Sequence, residues 1–175
     1  MVNIDYKKKK KIIVIGCPGS GKSYFSKKLS AITKLPLYHL DLLYWRPNWQ
    51  TTPADEFREK VIKVIEEPKW IIDGNYNSTL ELRFLVADLV FFLDLPTENC
   101  LENVRNRIGK DRDDFPKFLK ETGDPEFFEY IRNFKDNGRV AILEMMEKYP
   151  KVPVVILKNR GEINDYLRRL TDKFN

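Results

Sequence analysis

The stretch Lys11-Ile12-Ile13-Val14-Ile15-Gly16-Cys17-Pro18-Gly19-Ser20-Gly21-Lys22-Ser23 decides the fold of this chain. Its first half, Lys11 to Cys17, is a β-branched apolar run without polar alternation, which predicts a strand buried on both faces of a parallel sheet. Its second half, Gly16 to Ser23, fits G-x-x-x-x-G-K-[ST]. Each fixed position has a physical reason. Glycines let the backbone wrap closely around a phosphate, and the amides of Gly19 to Ser23 then point inward beside a helix N-terminus with its partial positive charge. Lys22 is placed to reach β- and γ-phosphates, and the Ser23 hydroxyl to ligate Mg²⁺. The strand before and the helix after, from about Gly21 to Thr33, supply the context the motif demands. ATP with Mg²⁺, held along Gly16, Cys17, Pro18, Gly19, Ser20, Gly21, Lys22 and Ser23, is the ligand set expected. Cys17 reads as a small residue tolerated at a variable position, although a thiol at a helix N-terminus is also open to a redox role.

Outward from this stretch, strand and helix signals alternate. Leu37 to Asp41 (LYHLD) reads as a second strand. Thr52-Pro53-Ala54-Asp55 reads as a helix start with Thr52 as cap, and Phe57, Val61, Val64 and Ile65 fall on one face of that helix. Trp70 to Asp73 is a third strand, followed by a helix from about Ser78 to Val86. Asp88 to Asp94 is a fourth strand, stopped by Pro96, with Thr97 capping a helix that carries Leu101, Val104 and Ile108. Gly109 to Thr122 is charged and irregular. A helical stretch opens at Asp124-Pro125, breaks at Asn137-Gly138 and ends near Tyr149. Val152 to Leu157 is a fifth strand, and Ile163, Tyr166, Leu167 and Leu170 mark a closing helix. Five strands joined by helices predict an α/β fold: a five-stranded parallel sheet with helices on both faces. With 175 residues, no internal repeat and no long linker, a single domain over 1–175 is expected, with a lid over about 105–138.

Composition narrows the function classes. Apolar residues make up 42% of the chain and charged residues 33%, which is a globular balance and not a disordered one. No apolar run approaches the ~20 residues of a membrane span, and no secretory signal core follows the charged N-terminus. The two cysteines make no disulfide framework, and a cytoplasmic setting is expected. The net charge is +5. It is concentrated in the run Lys7 to Lys11, so the remainder is about neutral. That run reads as a solvated ramp into the first strand, with an electrostatic arm for nucleic acid as the alternative. No helix-turn-helix, zinc or RNA-binding signature accompanies it.

Ligands on parallel sheets bind at the carboxyl ends of the strands. Asp73 there is placed to hold Mg²⁺, directly or through water. Asp41 is placed to orient or deprotonate an attacking hydroxyl, and His39, two positions back on a strand, points the same way. Asp94 reads as structural. Tyr44, Trp45 and Trp49 are open to two readings, a stacking surface for a planar substrate or a cover over the core. Of Arg105, Arg107, Arg112, Arg132 and Arg139, Arg105 and Arg112 lie near a helix end and an irregular charged loop, where a mobile flap could bring guanidinium groups to a transferring phosphoryl; the alternative is ordinary surface arginines paired with Asp111, Asp113 or Asp114.

GCPGSGKS, YHLDLLYWRPNW, WIIDGNY and ADLVFFLDLP, followed by an arginine-bearing helix, together resemble the bacterial DNA topology modulation (FlaR-type) proteins, which are related to adenylate kinases among the P-loop kinases. The likeness runs over roughly residues 11 to 160. It implies the strand order 2-3-1-4-5, ATP and Mg²⁺ at Gly16 to Ser23, and support for Asp73. It also implies Arg83 as an acceptor-side arginine and Arg105 and Arg107 as lid-base arginines. Arg112-Asp113-Asp114 resembles a shortened Arg-x-Asp-Asp. Asn75-Tyr76-Asn77 stands where the related kinases carry Phe-Pro-Arg, which removes an expected phosphate-binding arginine.

Three functions remain open on this reading. The leading one is a kinase moving the γ-phosphoryl of ATP to a small molecule of nucleoside or nucleotide type, with catalytic residues Lys22, Asp41, Arg105 and Arg107, acceptor contacts at His39, Asp41, Tyr44, Trp45 and Arg83, and metal contacts at Ser23 and Asp73. The others are a nucleotide-gated switch or ATPase, and a nucleic-acid-associated regulator.

Overall fold

The computed structural model describes residues 5–174. Five strands form one parallel sheet: β1 (Lys11–Gly16), β2 (Leu37–His39), β3 (Trp70–Asp73), β4 (Leu89–Leu93) and β5 (Val154–Leu157). Their order is β2-β3-β1-β4-β5, as the sequence resemblance implies. Among the described residues eight α-helices connect and flank them: α1 (Lys22–Thr33), α2 (Leu40–Tyr44), α3 (Ala54–Glu66), α4 (Asn77–Phe84), α5 (Thr97–Arg105), α6 (Pro125–Arg132), α7 (Gly138–Lys148) and α8 (Arg160–Phe174). Between α5 and α6 the chain has neither helix nor strand.

The two faces of β1 feed two cores, because successive side chains on a strand point to opposite sides. Ile13 and Ile15 join Phe57, Val61, Phe84, Val104, Ile131 and Ile142. Ile12 and Val14 join Phe25 and Leu29 of α1 and Ile163, Leu167 and Leu170 of α8. Complete burial of Ile13, Val14 and Ile15 explains why this strand reads as continuously apolar. Helices therefore cover both faces, and the central strand delivers Gly16 to the sheet's carboxyl edge.

Several sequence expectations are corrected. The second strand stops at His39 rather than at Asp41. β2 is an edge strand whose ladder ends at His39 opposite Asp73, where Gly74 turns away at φ +134°. The chain then coils into α2, with the Trp45 amide donating to the Asp41 carbonyl at 3.2 Å. Thr52 does not cap α3: its hydroxyl donates to the Leu43 carbonyl at 3.0 Å, and Pro53 precedes the helix. Thr97 likewise makes no side-chain cap, and α5 starts from Pro96. Asp124 caps α6 as read, accepting from the Glu126 amide at 3.0 Å. The fifth strand begins after Pro153, which has no N–H for the ladder. At the amino edge, the amides of Lys10 and Lys11 both donate to Asp88, each at 2.9 Å, so the basic run's end is fastened to the start of β4. No helix among the described residues is long and apolar enough to cross a membrane.

Candidate active site

The phosphate loop is held from outside as well as by its own glycines. Gly19 has φ +86°, and a side chain there would overlap the backbone carbonyl of Cys100. Gly21, at φ +90°, is the residue before α1, and a side chain there would meet only open space. Both positions need glycine for conformation, and Gly19 needs it for space as well. The Ser20 amide donates to the Cys17 carbonyl at 3.0 Å, and Lys22 Nζ donates to the same oxygen at 3.0 Å. Two asparagines clamp the loop. Asn75 accepts from the Gly16 amide at 3.0 Å and donates to the Gly16 carbonyl at 2.8 Å. Asn103 donates to the Gly19 carbonyl at 2.8 Å. Ser20 Oγ is buried without a partner, a polar atom left over inside a cradle of backbone amides. These features fit a bound phosphate.

Cys17 is buried and faces Cys100; their hydrogen bond and burial push the Cys17 thiol up, away from the reactive thiolate. The structure thus favours the plain reading of Cys17.

Beside the loop, the ends of β2 and β3 meet. His39 and Asp73 lie opposite each other in the ladder, and His39 Nδ1 is 2.8 Å from Asp73 Oδ2. A carboxylate oxygen only accepts, so the ring nitrogen donates. His39 and Asp41 therefore have separate partners: Asp41 sits in the first turn of α2 and accepts from the Tyr76 hydroxyl at 2.5 Å. Burial raises the Asp41 carboxyl above its ordinary range. The Tyr76 hydroxyl opposes this, neighbouring Asp73 adds to it, and Lys22 and Arg112 pull it back. That set of influences puts Asp41 within electrostatic reach of the phosphate-loop lysine, the β3 carboxylate and the lid.

Arg83 has a different place from the one the resemblance implies. It is completely buried, donating through Nε to Thr79 at 3.3 Å, through Nη1 to Gly74 at 2.8 Å, and through Nη2 to the carbonyls of Asn75 and Tyr76. Burial lowers it to about 9, so it stays charged at neutral pH. Its guanidinium organises the Gly74–Tyr76 turn, where Tyr76 takes a left-handed conformation at φ +43°, and it has no free edge for an acceptor. Tyr44 packs on Trp45, Phe57 and Tyr76 with ring centroids 5.0, 5.1 and 4.6 Å away, and Trp45 packs on Trp49 at 5.4 Å.

The segment between α5 and α6, expected as a lid, packs against this aromatic group, since Phe115 meets Trp49 at 5.7 Å. Glu121 organises it. Arg107 grips that carboxylate with two bonds of 2.7 and 2.6 Å, and Arg112 Nη1 donates to it at 3.1 Å. Arg112 also pairs with Asp114. Burial alone would raise Asp114, but the Arg112 bond and charge, the Ser23 hydroxyl and Lys27 outweigh it and hold the carboxyl far below the usual range. Lys27 Nζ is 3.6 Å from Asp114 and also pairs with Asp113. Arg105 lies over the Phe128 ring at 5.7 Å. Arg132 pairs with Glu129 on the surface, and Arg139 grips Asp94 through three contacts of 2.9 to 3.2 Å, so the structural reading of Asp94 holds through an ion pair.

Sequence reasoning missed Asn103 and Glu121, and it noted Asn75, Tyr76 and Asp114 without giving them these roles. Asn75 and Tyr76 had a signal in their place directly after the strand-ending Asp73-Gly74. Asn103 and Glu121 look like ordinary polar residues until the chain is folded.

Ser23 and Asp73 offer hard oxygen donors. Among the described residues no three His, Cys, Asp or Glu side chains gather into a metal cage. This donor set fits Mg²⁺, which keeps several waters and shares phosphate oxygens.

The fold is similar to that of solved shikimate kinases. The shikimate kinase of Acinetobacter baumannii, solved in complex with shikimate, superposes with a TM-score of 0.63 at 13% identity, over 96% of this chain and 94% of that one. The shikimate kinase of Bacteroides thetaiotaomicron gives 0.55 at 17% identity, over 93% and 96%. No protein-family model matches the chain, and no curated protein matches it in sequence.

Proposed function

We propose that this chain is an ATP-dependent phosphotransferase that moves the γ-phosphoryl of ATP to a hydroxyl of a small molecule, with nucleosides and nucleotides as the leading acceptors. One observation carries the reading: the ends of β2 and β3 meet beside the phosphate loop, where His39 is bonded to Asp73, Asp41 to Tyr76, and Asn75 between them to Gly16. A base, a phosphate-binding cation and a metal-binding carboxylate thus share one cleft at the sheet's carboxyl edge, where such sheets bind ligands.

The acceptor oxygen attacks the γ-phosphorus, the bond from that phosphorus to the β,γ-bridging oxygen breaks, ADP leaves, and the hydroxyl proton passes to Asp41. A carboxyl raised by burial is a better base near neutral pH than an ordinary aspartate. Lys22 and the loop amides stabilise charge on the phosphates, the main source of catalysis in phosphoryl transfer. Mg²⁺, held by Ser23 and through Asp73, would neutralise phosphate charge. His39 fixes the orientation of Asp73, as an outer partner of a metal ligand does. Arg105 and Arg107 stand at the base of the lid, with Glu121 holding Arg107 in place. Tyr44 and Trp45 supply ring faces on which a planar acceptor can stack.

The test is conversion of ATP to ADP with Mg²⁺ across nucleosides, nucleoside monophosphates, polyols and shikimate (the ligand of the Acinetobacter neighbour), with Lys22→Ala as blank. Acceptor-dependent ADP that vanishes in the variant is expected. Turnover indifferent to every acceptor would replace the kinase with an ATPase or switch.

A further inference from the structure

Recognising a monophosphate or a carboxylate needs a cation with open donors, and arginine does this through paired bonds from its planar fork. Four arginines around the acceptor side, Arg46, Arg83, Arg107 and Arg112, are committed to partners within the protein, while Arg105 stands off at the lid base over the Phe128 ring. Arg83 is sealed from solvent, and its three nitrogens donate to four backbone carbonyls. Arg112 spends Nε and Nη2 on Asp114 and Nη1 on Glu121. Arg107 spends Nε and Nη2 on Glu121. Arg46, next to the aromatic group, is paired with Glu56. Gathered at this end of the sheet instead are Asp41, whose Oδ1 is taken by Tyr76, the buried Asp73 bonded to His39, and the rings of Tyr44, Trp45 and Trp49. An anion brought here meets carboxylates and π-faces, while the cations that reach Asp41 are turned to other partners, Lys22 to the Cys17 carbonyl and Arg112 to Asp114 and Glu121. A neutral ring compound meets surfaces to pack against and a carboxylate that accepts a hydroxyl proton.

Building on the kinase reading, we propose that the acceptor is an uncharged ring compound bearing hydroxyls, of the nucleoside kind, and that anionic acceptors such as nucleoside monophosphates and hydroxy acids are refused. Asp41 then has two tasks. It receives the proton of the reacting hydroxyl, and its charge excludes anions from the position that hydroxyl occupies. The buried Arg83 is the structural counterpart, an arginine of α4 used for the chain's own backbone.

The experiment compares neutral acceptors with their anionic relatives: methyl shikimate with shikimate, whose hydroxyls are the same, and adenosine with AMP and uridine with UMP, where the phosphate also replaces the 5′-hydroxyl, each with ATP and Mg²⁺, in the wild-type chain and in Asp41→Asn. The neutral member of at least one pair is expected to exceed its charged partner in kcat/KM by on the order of 10²-fold. Asp41→Asn is expected to slow the neutral acceptor and to narrow that ratio, because the excluding charge is gone. A charged member used as well as its neutral partner would overturn the inference and leave the kinase standing. ADP formation that no acceptor raises would overturn the kinase reading, and this inference with it. A ratio unmoved by Asp41→Asn would overturn the second task given to Asp41.

Discussion

The two walls of the cleft are built from different materials. The phosphate wall is mostly backbone: the loop's amides, three glycines at positive φ and one lysine that bonds to the loop's own Cys17 carbonyl. The acceptor wall is mostly side chains, and each is set by a partner far away in sequence. His39 and Asp73 are 34 positions apart, and Asp41 and Tyr76 are 35 apart. Backbone donors bind any phosphate in much the same way, so that wall has little freedom to specialise. A wall of paired side chains changes its chemistry whenever one partner changes, and that is where selectivity among acceptors belongs.

This contrast can be broken by substitution. On the phosphate wall, Lys22→Ala should lower kcat by about 10³-fold, in the range of losing one transition-state charge contact, while thermal stability stays within about 0.5 kcal/mol. A comparable fall in melting temperature would show that the lysine is structural. On the acceptor wall, Arg83→Met should do the reverse. Stranding four carbonyls should cost roughly 3 kcal/mol or more, equivalent to about 6–12 °C in melting temperature for a chain of this size. Unchanged stability with a raised acceptor KM would return Arg83 to the ligand role.

Asp41→Asn sharpens the comparison through pH. Because burial raises Asp41, the acid limb of kcat should lie above the ordinary carboxylate value of about 4 and should disappear in the variant, with a loss of about 10²-fold at the wild-type optimum. A limb that persists in Asp41→Asn belongs to another group. The smallest effect concerns the lid. Asp114 is held below the usual carboxylate range, so its ion pairs stabilise the closed segment fully above about pH 4 and lose that contribution as pH falls through the depressed value. Acid should therefore release Phe115 from Trp49, at a cost of about 1 kcal/mol, read as a shift in the Trp49 emission that Trp49→Phe identifies. Asp114→Asn should remove the acid dependence of that signal, and its persistence would place the latch elsewhere.

The same division of materials explains what could be read beforehand. Lys11 to Ser23 specified both a strand and a loop, because local backbone demands are written into local residue types. The sheet order required the family resemblance, since periodicity alone leaves the arrangement of five strands open. The end of β2 was misread because the residues of Leu37 to Asp41 suit a strand, while its length is set by where the β3 ladder stops. Arg83 was misassigned for a related reason. An arginine after an Asp-Gly turn looks the same in sequence whether it faces a ligand or four carbonyls. Asn103 and Glu121 gave no warning, because their roles exist only after α5 and the lid are packed beside the loop.

The clamp on Gly16 also bears on how the protein is made. Both polar backbone atoms of that residue are bonded to the side chain of Asn75, 59 positions further along. A nascent chain carries the complete phosphate motif long before it carries the residue that secures the motif's first glycine. Competence to hold a nucleotide is therefore acquired only once β3 has docked beside β1. It depends on closing a long loop in the chain, the slow kind of folding event, and nucleotide binding during refolding would time that closure.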